Sequence, residues 1–259
     1  MRTKSKMFTK ENTHLNLLIL LSFLFCLSPL GLMADDDISE ADTLYTQGGM
    51  KIYKRSIELY LKALESKPDN YEAKWKCARA YRQFAKEAKR QRVEGWKEIC
   101  ARQGKEGMKY AQSAMEQEPG KPEGFYYYGL SVGIYSDGVS ILTALAEGLK
   151  NMTQKGFEMA YEMDKMYDEA GPILGLGRFW AVVPWPFKNK KKALKFYREY
   201  QRTQYFAEKD EGKVYLAELL LDLGGKVNKT EAKALLEKVA QSDETYFRDW
   251  ANRLLLDIK

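Results

Sequence analysis

The chain has 259 residues, of which 42 are lysine or arginine, 36 are aspartate or glutamate and one is histidine. The net charge of +6 is modest and is spread along the chain, which argues against a dedicated nucleic-acid surface. Because the histidine, His14, is the only one, the rest of the chain holds no Ser-His-Asp or Cys-His arrangement and no zinc site with imidazole ligands. We therefore expect neither a metal nor a cofactor.

Residues 1–34 have the composition of an export signal. Basic residues come first, an apolar run follows over residues 15–33, and the small residue Ala34 closes the segment. Pro29 predicts an extended stretch before a cleavage site after Ala34. We therefore predict a periplasmic or secreted protein of residues 35–259. The alternative is an uncleaved signal that anchors the chain, and this is the only membrane contact that we expect.

The rest of the chain predicts an all-α fold. Strong helix formers alternate with short breaks at prolines and glycines, and no stretch alternates apolar and polar residues long enough for a sheet. The breaks divide the chain into five pairs of antiparallel helices, at about residues 38–68, 71–119, 122–165, 168–205 and 212–258.

A repeated spacing of small, bulky and proline residues supports these pairs. The spacing appears first at Ser56, Tyr60, Ala63 and Pro68, and again at Gly107, Ala111, Ala114 and Pro119. The small residues suit a close contact between two helices, and each proline ends the second helix of a pair. Segment 71–81 adds the small residues followed by an aromatic that are expected of an opening helix. At these residues the sequence resembles the tetratricopeptide repeat (TPR), which implies an α-solenoid that binds a protein.

Two pairs carry extra residues, between Tyr81 and Gly107 and between Val132 and Phe157. Longer helices are the simplest way to accommodate them. Extra helical turns would deepen the concave side of the solenoid into a pocket.

Cys77 and Cys100 lie on either side of a predicted turn near residues 90–93. A disulfide between them is one alternative, and two separately buried thiols are the other. The expected difference in their heights along the hairpin favours the separate thiols.

The C-terminal half shows a second resemblance. Segments 168–178 (DEAGPILGLGR), 183–186 (VPWP), 192–194 (KAL) and 216–218 (LAE) are similar to the T component of tripartite ATP-independent periplasmic (TRAP) transporters. The resemblance implies an exported bacterial helical protein that meets a periplasmic substrate-binding protein, with a ring-like homo-oligomer as one arrangement. Lipid anchoring, common in that group, is disfavoured here because Phe25 precedes Cys26, where lipid-modifying processing requires a small residue.

Candidate binding residues lie on the predicted opening helices, because these line the concave face of such a solenoid. The candidates are Trp75, Arg79, Arg82, Tyr126, Leu130, Leu176, Phe179 and Trp180, with Asp137 and Trp185 as additions. Aromatic rings beside arginines suit a peptide, an extended loop or an amphipathic organic anion. The alternative is that many of them are simply core residues.

Asp137 and the glycines near residue 175 each have two interpretations. Asp137 is either a ligand-binding carboxylate or a buried acceptor for nearby hydroxyls or an arginine, and the second is favoured. Gly175 and Gly177 hint at a phosphate loop but lack a third glycine and a preceding strand, so helix contact is favoured.

Two functions compete at this point. The first is an exported TPR-like adaptor that binds a protein on its concave face, with an accessory role beside a TRAP-type transporter as its most specific form. The second is a receptor that encloses an apolar or anionic small molecule in the groove between its long helices. An enzyme is the weakest alternative, because no pair of carboxylates, lysines or tyrosines is placed for catalysis.

Overall fold

The computed structural model describes residues 29–258, with no β-strand among them. Thirteen helices follow one another along this part of the chain. They are α1 Pro29–Gln47, α2 Met50–Ser66, α3 Tyr71–Gln91, α4 Trp96–Gln117, α5 Pro122–Val139, α6 Ile141–Ala146, α7 Leu149–Asp164, α8 Tyr167–Val182, α9 Lys190–Gln201, α10 Tyr205–Glu208, α11 Asp210–Leu223, α12 Lys226–Val239 and α13 Thr245–Leu256. The all-α solenoid predicted from the sequence is confirmed.

The helices pack as antiparallel neighbours. Helices α1 and α2, α3 and α4, α5 and α7, α8 and α9, and α11 and α12 form five successive pairs, and α13 closes the C-terminal end. We call α3, α5, α8 and α11 the opening helices of their pairs. Ser56, Tyr60 and Ala63 of α2 are fully buried, so the repeated spacing in the sequence marks true helix contacts.

Close approach between helices depends on glycine at defined points. A β-carbon on Gly107 of α4 would lie 2.6 Å from the Ser131 hydroxyl of α5. On Gly177 of α8, a β-carbon would overlap the Tyr197 ring of α9. The glycines near residue 175 therefore serve helix packing, as the sequence favoured.

The structure accommodates the extra residues of the two long pairs in different ways. In the second pair, α3 and α4 are lengthened to 21 and 22 residues. In the third pair the expectation of a longer helix is wrong: the backbone turns at Ser140, with φ of 150°, and the insertion forms the short helix α6. This helix covers one end of the space between the opening helices.

The predicted export signal lies largely outside the described residues. Its last part, residues 32–34, lies within α1 and is helical, so the extended stretch expected after Pro29 is not present. No helix in the described part of the chain is long and apolar enough to cross a bilayer. Cys77 and Cys100 are separate buried thiols.

Candidate functional site

The opening helices enclose one deep cavity. Helices α3, α5, α8 and α11 contribute its sides, α13 lies at the C-terminal side, and α6 and α7 lie at one end. Its volume is about 330 Å³. This is the lower end of the range for pockets that enclose a small molecule or a peptide side chain with its neighbours.

Most of the cavity wall is apolar and aromatic. Its rings come from several different helices and two of them, Tyr215 and Trp250, meet edge to face with centroids 5.7 Å apart. The aromatic lining consists of Tyr126, Phe157, Phe179, Tyr215, Tyr246, Phe247 and Trp250. Aliphatic side chains such as Leu130 and Leu145 fill the spaces between the rings. Such a wall favours apolar groups and the flat faces of planar groups.

One side of the cavity is strongly basic. Arg82, Lys86 and Arg90 follow one another at intervals of four along α3, so they lie on one face of that helix, and all three line the cavity. We call these three residues the cation row. Lys89, Lys150 and Arg178 add further positive charges, whereas Asp137 and Glu211 are the acidic residues among those lining this cavity.

The protein neutralises these charges unevenly. Lys86 Nζ lies 3.1 Å from a Glu211 carboxylate oxygen, and the Arg178 guanidinium pairs with Glu218 at 2.5 Å. Arg82, in contrast, has no acidic side chain within ion-pair distance in the described part of the chain, and its buried Nε has no hydrogen-bond acceptor there. Arg82 is therefore the group with the most unused capacity to bind an anion.

Burial and mutual repulsion shift the pKa values in the cation row. Burial lowers the pKa of Lys86 to about 8, with Glu211 opposing the shift and the charges of Arg82 and Arg90 adding to it. Burial alone would raise the pKa of Glu211, but the charges of Lys86 and Arg82 outweigh it and hold that pKa well below its usual range. The one central carboxylate thus stays ionised among three cations.

The sequence candidates divide between this cavity and other places. Those that line the cavity are Arg82, Tyr126, Leu130, Asp137 and Phe179. Leu176 and Trp180 are instead buried in the main hydrophobic core, and Trp185 is exposed on the loop between α8 and α9. Helical phase alone could not separate them, because core and cavity positions alternate on the same opening helix.

Trp75 and Arg79 belong to a separate polar cluster near the N-terminal end of α3. Arg79 pairs with the Asp42 carboxylate at 3.1 Å, and Tyr60 donates a hydrogen bond to the same carboxylate at 2.6 Å. Lys76 pairs with Asp42 as well. We call Asp42, Tyr60, Lys76 and Arg79 the Asp42 cluster. Trp75 lies beside it, stacked on Tyr127 at a centroid distance of 5.7 Å.

Asp137 fits neither interpretation in full. It accepts a hydrogen bond from Lys89 at 2.6 Å, rather than from hydroxyls or an arginine, and it is exposed. Its place in the cavity wall makes it a polar lining residue whose charge is already paired.

Sequence reasoning missed much of the lining. Lys86 and Arg90 could have been found, because they continue the four-residue spacing that begins at the predicted Arg82. Tyr246, Phe247 and Trp250 could not, because α13 is not one of the opening helices, and its return to the cavity depends on tertiary packing.

The helix pairs define the class as a TPR-like helical repeat fold. The structure is similar to the crystal structure of a thermophilic TPR protein from Thermus thermophilus, with a TM-score of 0.60 and 17% identity over 86% of this chain and 99% of that one. Folds of this type generally mediate protein–protein interaction and are typically not enzymes. The chain belongs to the RMD1-3 family, regulator of microtubule dynamics protein 1-3, whose model matches residues 37–180.

A search of curated protein sequences returned no match to the chain. The predicted TPR character is thus confirmed at the level of fold. The family found is a different one from the T component of TRAP transporters, so that part of the predicted resemblance has no support from these comparisons.

Proposed function

We propose that this protein is a scaffold that binds an extended segment of a partner protein in the cavity between its opening helices. The observation that carries the proposal is the cation row facing an aromatic wall. A partner segment with an acidic side chain beside apolar ones would complement both surfaces. Arg82 would receive the acidic group, and the rings of α11 and α13 would pack on the apolar ones.

The finer features of the role remain proposals that rest on sequence alone. They are export through a signal in residues 1–34, a periplasmic substrate-binding protein as partner, and a role beside a TRAP-type transporter. The family name refers to regulators of microtubule dynamics. From that name we take only the expectation that the partner is a protein.

Site-specific photo-cross-linking in the native cell tests the proposal. A benzophenone amino acid at Leu130, which lines the cavity, is compared with one at Gln112, which is exposed on α4. We expect a protein adduct from position 130 and little from position 112, and we expect Arg82→Ala to reduce the adduct at 130. Equal adducts at both positions, or none at 130, would contradict a cavity that binds protein.

A second candidate is a receptor for an amphipathic organic anion. The depth of the cavity and its mixture of rings with unneutralised basic groups favour it. Native mass spectrometry of gently purified protein should then show an added mass that Arg82→Ala removes. Trp180→Ala, which the sequence would have suggested for this test, is unsuitable because Trp180 is a core residue.

A further inference from the structure

The exposed apolar side chains are concentrated along one edge of the solenoid. Of the ten large hydrophobic residues that are exposed in the described part of the chain, only Met166 and Leu256 lie elsewhere. The others fall in segments 140–152, 182–192 and 222–229, which contain the loops within the third, fourth and fifth pairs and the adjoining helix ends. We call these three segments the loop edge.

The three segments of the loop edge are joined in space. Lys150 Nζ, at the start of α7, lies 4.7 Å from the centroid of the Phe187 ring in the next loop. Lys188 and Lys190 of that loop reach the Asp222 carboxylate at the end of α11, at 2.9 and 3.0 Å. The three segments therefore lie side by side along one edge of the solenoid.

This surface is also basic. The three segments together contain seven lysines and two acidic residues, Glu147 and Asp222. Segment 182–192 alone contains four lysines and no acidic residue. Asp222 already binds two of the lysines, which leaves a positive surface around the exposed apolar side chains.

The helix ends at this edge add to the positive potential. Helices α7, α9 and α12 begin here without an acidic residue in the first turn, whereas α3, α5 and α11, which begin at the opposite edge, carry Glu72, Glu123 and Asp210 there. Helices α7 and α12 also lack a side-chain cap. Lysines at uncapped helix N-termini are unfavourable unless an anion approaches the free N–H groups.

The most prominent apolar residues project from three separate segments: Trp185 from the loop between α8 and α9, Leu142 from α6 and Val227 from the start of α12. Trp185 is 87% exposed, Leu142 is 68% exposed and Val227 is 80% exposed. A folded protein partner would be expected to meet a packed apolar centre with a polar rim. Separate apolar tips, including a tryptophan, amid lysines instead match the boundary between lipid head groups and acyl chains.

We propose that the loop edge docks on an anionic lipid bilayer. Leu142, Trp185 and Val227 enter the interface, and the lysines of α7, α9 and α12 meet the lipid phosphates. The attachment is peripheral and needs no spanning helix. It departs from the sequence prediction that only an uncleaved signal contacts a membrane. The three residues that enter the interface do not line the cavity.

Tryptophan quenching by vesicles with brominated acyl chains tests this proposal on the full chain. Because residues 1–34 contain no tryptophan, quenching of Trp185 reports on the loop edge whatever the N-terminal segment does. We expect quenching with vesicles that contain phosphatidylglycerol, loss of that component in Trp185→Phe, and weaker quenching with pure phosphatidylcholine or at high salt.

Charge reversal provides the matched comparison. Lys191→Glu, Lys226→Glu and Lys229→Glu together should weaken vesicle-dependent quenching of Trp185 on the order of a hundredfold in lipid concentration. The same change at Lys67, Lys105 and Lys195, which are exposed elsewhere, should leave it within about threefold. The exposed apolar residues are tested in the same quenching assay. The double variant Leu142→Ala and Val227→Ala is compared with the double variant Met166→Ala and Leu256→Ala.

Circular dichroism would check that each variant is folded. Absence of quenching by anionic vesicles, or equal quenching in the two lysine triples, would overturn the proposal. A Trp185-dependent cross-link to a protein in the absence of lipid quenching would do the same, and would assign the edge to a protein partner.

Discussion

Both halves of α3 carry basic residues, but the two halves differ in how those residues are paired with carboxylates. The N-terminal half presents Lys76 and Arg79, and both reach the carboxylate of Asp42. In the C-terminal half, Lys86 pairs with Glu211 at 3.1 Å and Arg90 pairs with Glu244 at 3.4 Å, whereas Arg82 has no acidic side chain within ion-pair distance in the described part of the chain. The first half uses its charges to hold α1, α2 and α3 together, and the second half leaves the charge of Arg82 without an ion-pair partner there.

The physical reason lies in the cost of burying a charge. A buried ion that has its partner is compatible with a stable fold, whereas a buried ion without one is costly. A fold therefore gains nothing by retaining Arg82 in a cavity without a carboxylate of its own. The binding role proposed for the cavity would account for this imbalance, because functional sites commonly cost a protein some stability.

Removal of Asp42 should give the largest effect, because it leaves Lys76 and Arg79 without their shared carboxylate. We expect Asp42→Ala to lower the free energy of unfolding by about 2–3 kcal/mol, measured by urea denaturation. The matched control is Glu72→Ala, since Glu72 also pairs with Lys76 but is well exposed, and it should cost less than about 1 kcal/mol. Equal stability of Asp42→Ala and the unmodified protein would show that the Asp42 cluster is not structural.

The same comparison explains how much the sequence could predict. The fold class followed from small residues at helix contacts, such as Ser56 and Gly107, because close packing restricts those positions locally. Arg79 and Arg82 could not be told apart, although they lie three residues apart on one helix. What separates them is the position of Asp42, on another helix and 37 residues away from Arg79.

The aromatic side of the cavity also shows that local sequence pattern does not distinguish a cavity residue from a core residue. Trp250 reaches the cavity only because α13 packs back against α11, where its ring meets Tyr215. Trp180, on an opening helix and aromatic, satisfied every local criterion for a binding residue, but it lies in the core. Local pattern gives the helix and its buried face, whereas tertiary packing decides which buried position borders a cavity.

Lys86 should make the free energy of unfolding depend on pH in the range between about 8 and 10.4. Its pKa is lowered to about 8 in the folded protein, whereas an unfolded lysine titrates near 10.4. Between these values the unfolded chain binds more protons, so stability rises with pH. Burial also raises the pKa of Cys77 and Cys100, and these thiols lower stability over the same range. We therefore expect the gain from Lys86, about 1–2 kcal/mol between pH 7.5 and 9.5, as the difference in urea denaturation between the unmodified protein and a variant without Lys86.

The variant Lys86→Met removes the titrating group and should abolish that gain. Lys76→Met provides the comparison, because Lys76 belongs to the other half of α3 and should leave the gain in place. If the gain persisted in Lys86→Met, another group would be responsible and the lowered pKa of Lys86 would not be its cause.

A substitution at the C-terminal end of α3 should stabilise the protein without changing the charged residues that line the cavity. Arg92 follows the last residue of α3 in a left-handed conformation, with φ of 51°, and its N–H donates to the carbonyl groups of Ala88 and Lys89. Glycine adopts this conformation without the cost of a β-carbon, so Arg92→Gly should raise the free energy of unfolding by about 0.5–1 kcal/mol. Arg92→Ala retains the β-carbon and should bring no such gain.

Because Lys86 and Glu211 are unchanged, the gain in stability from Lys86 between pH 7.5 and 9.5 should persist in Arg92→Gly at its full size. A change in that rise would mean that the helix end and the cation row are coupled, and that the lowered pKa of Lys86 depends on the strained turn as well as on burial.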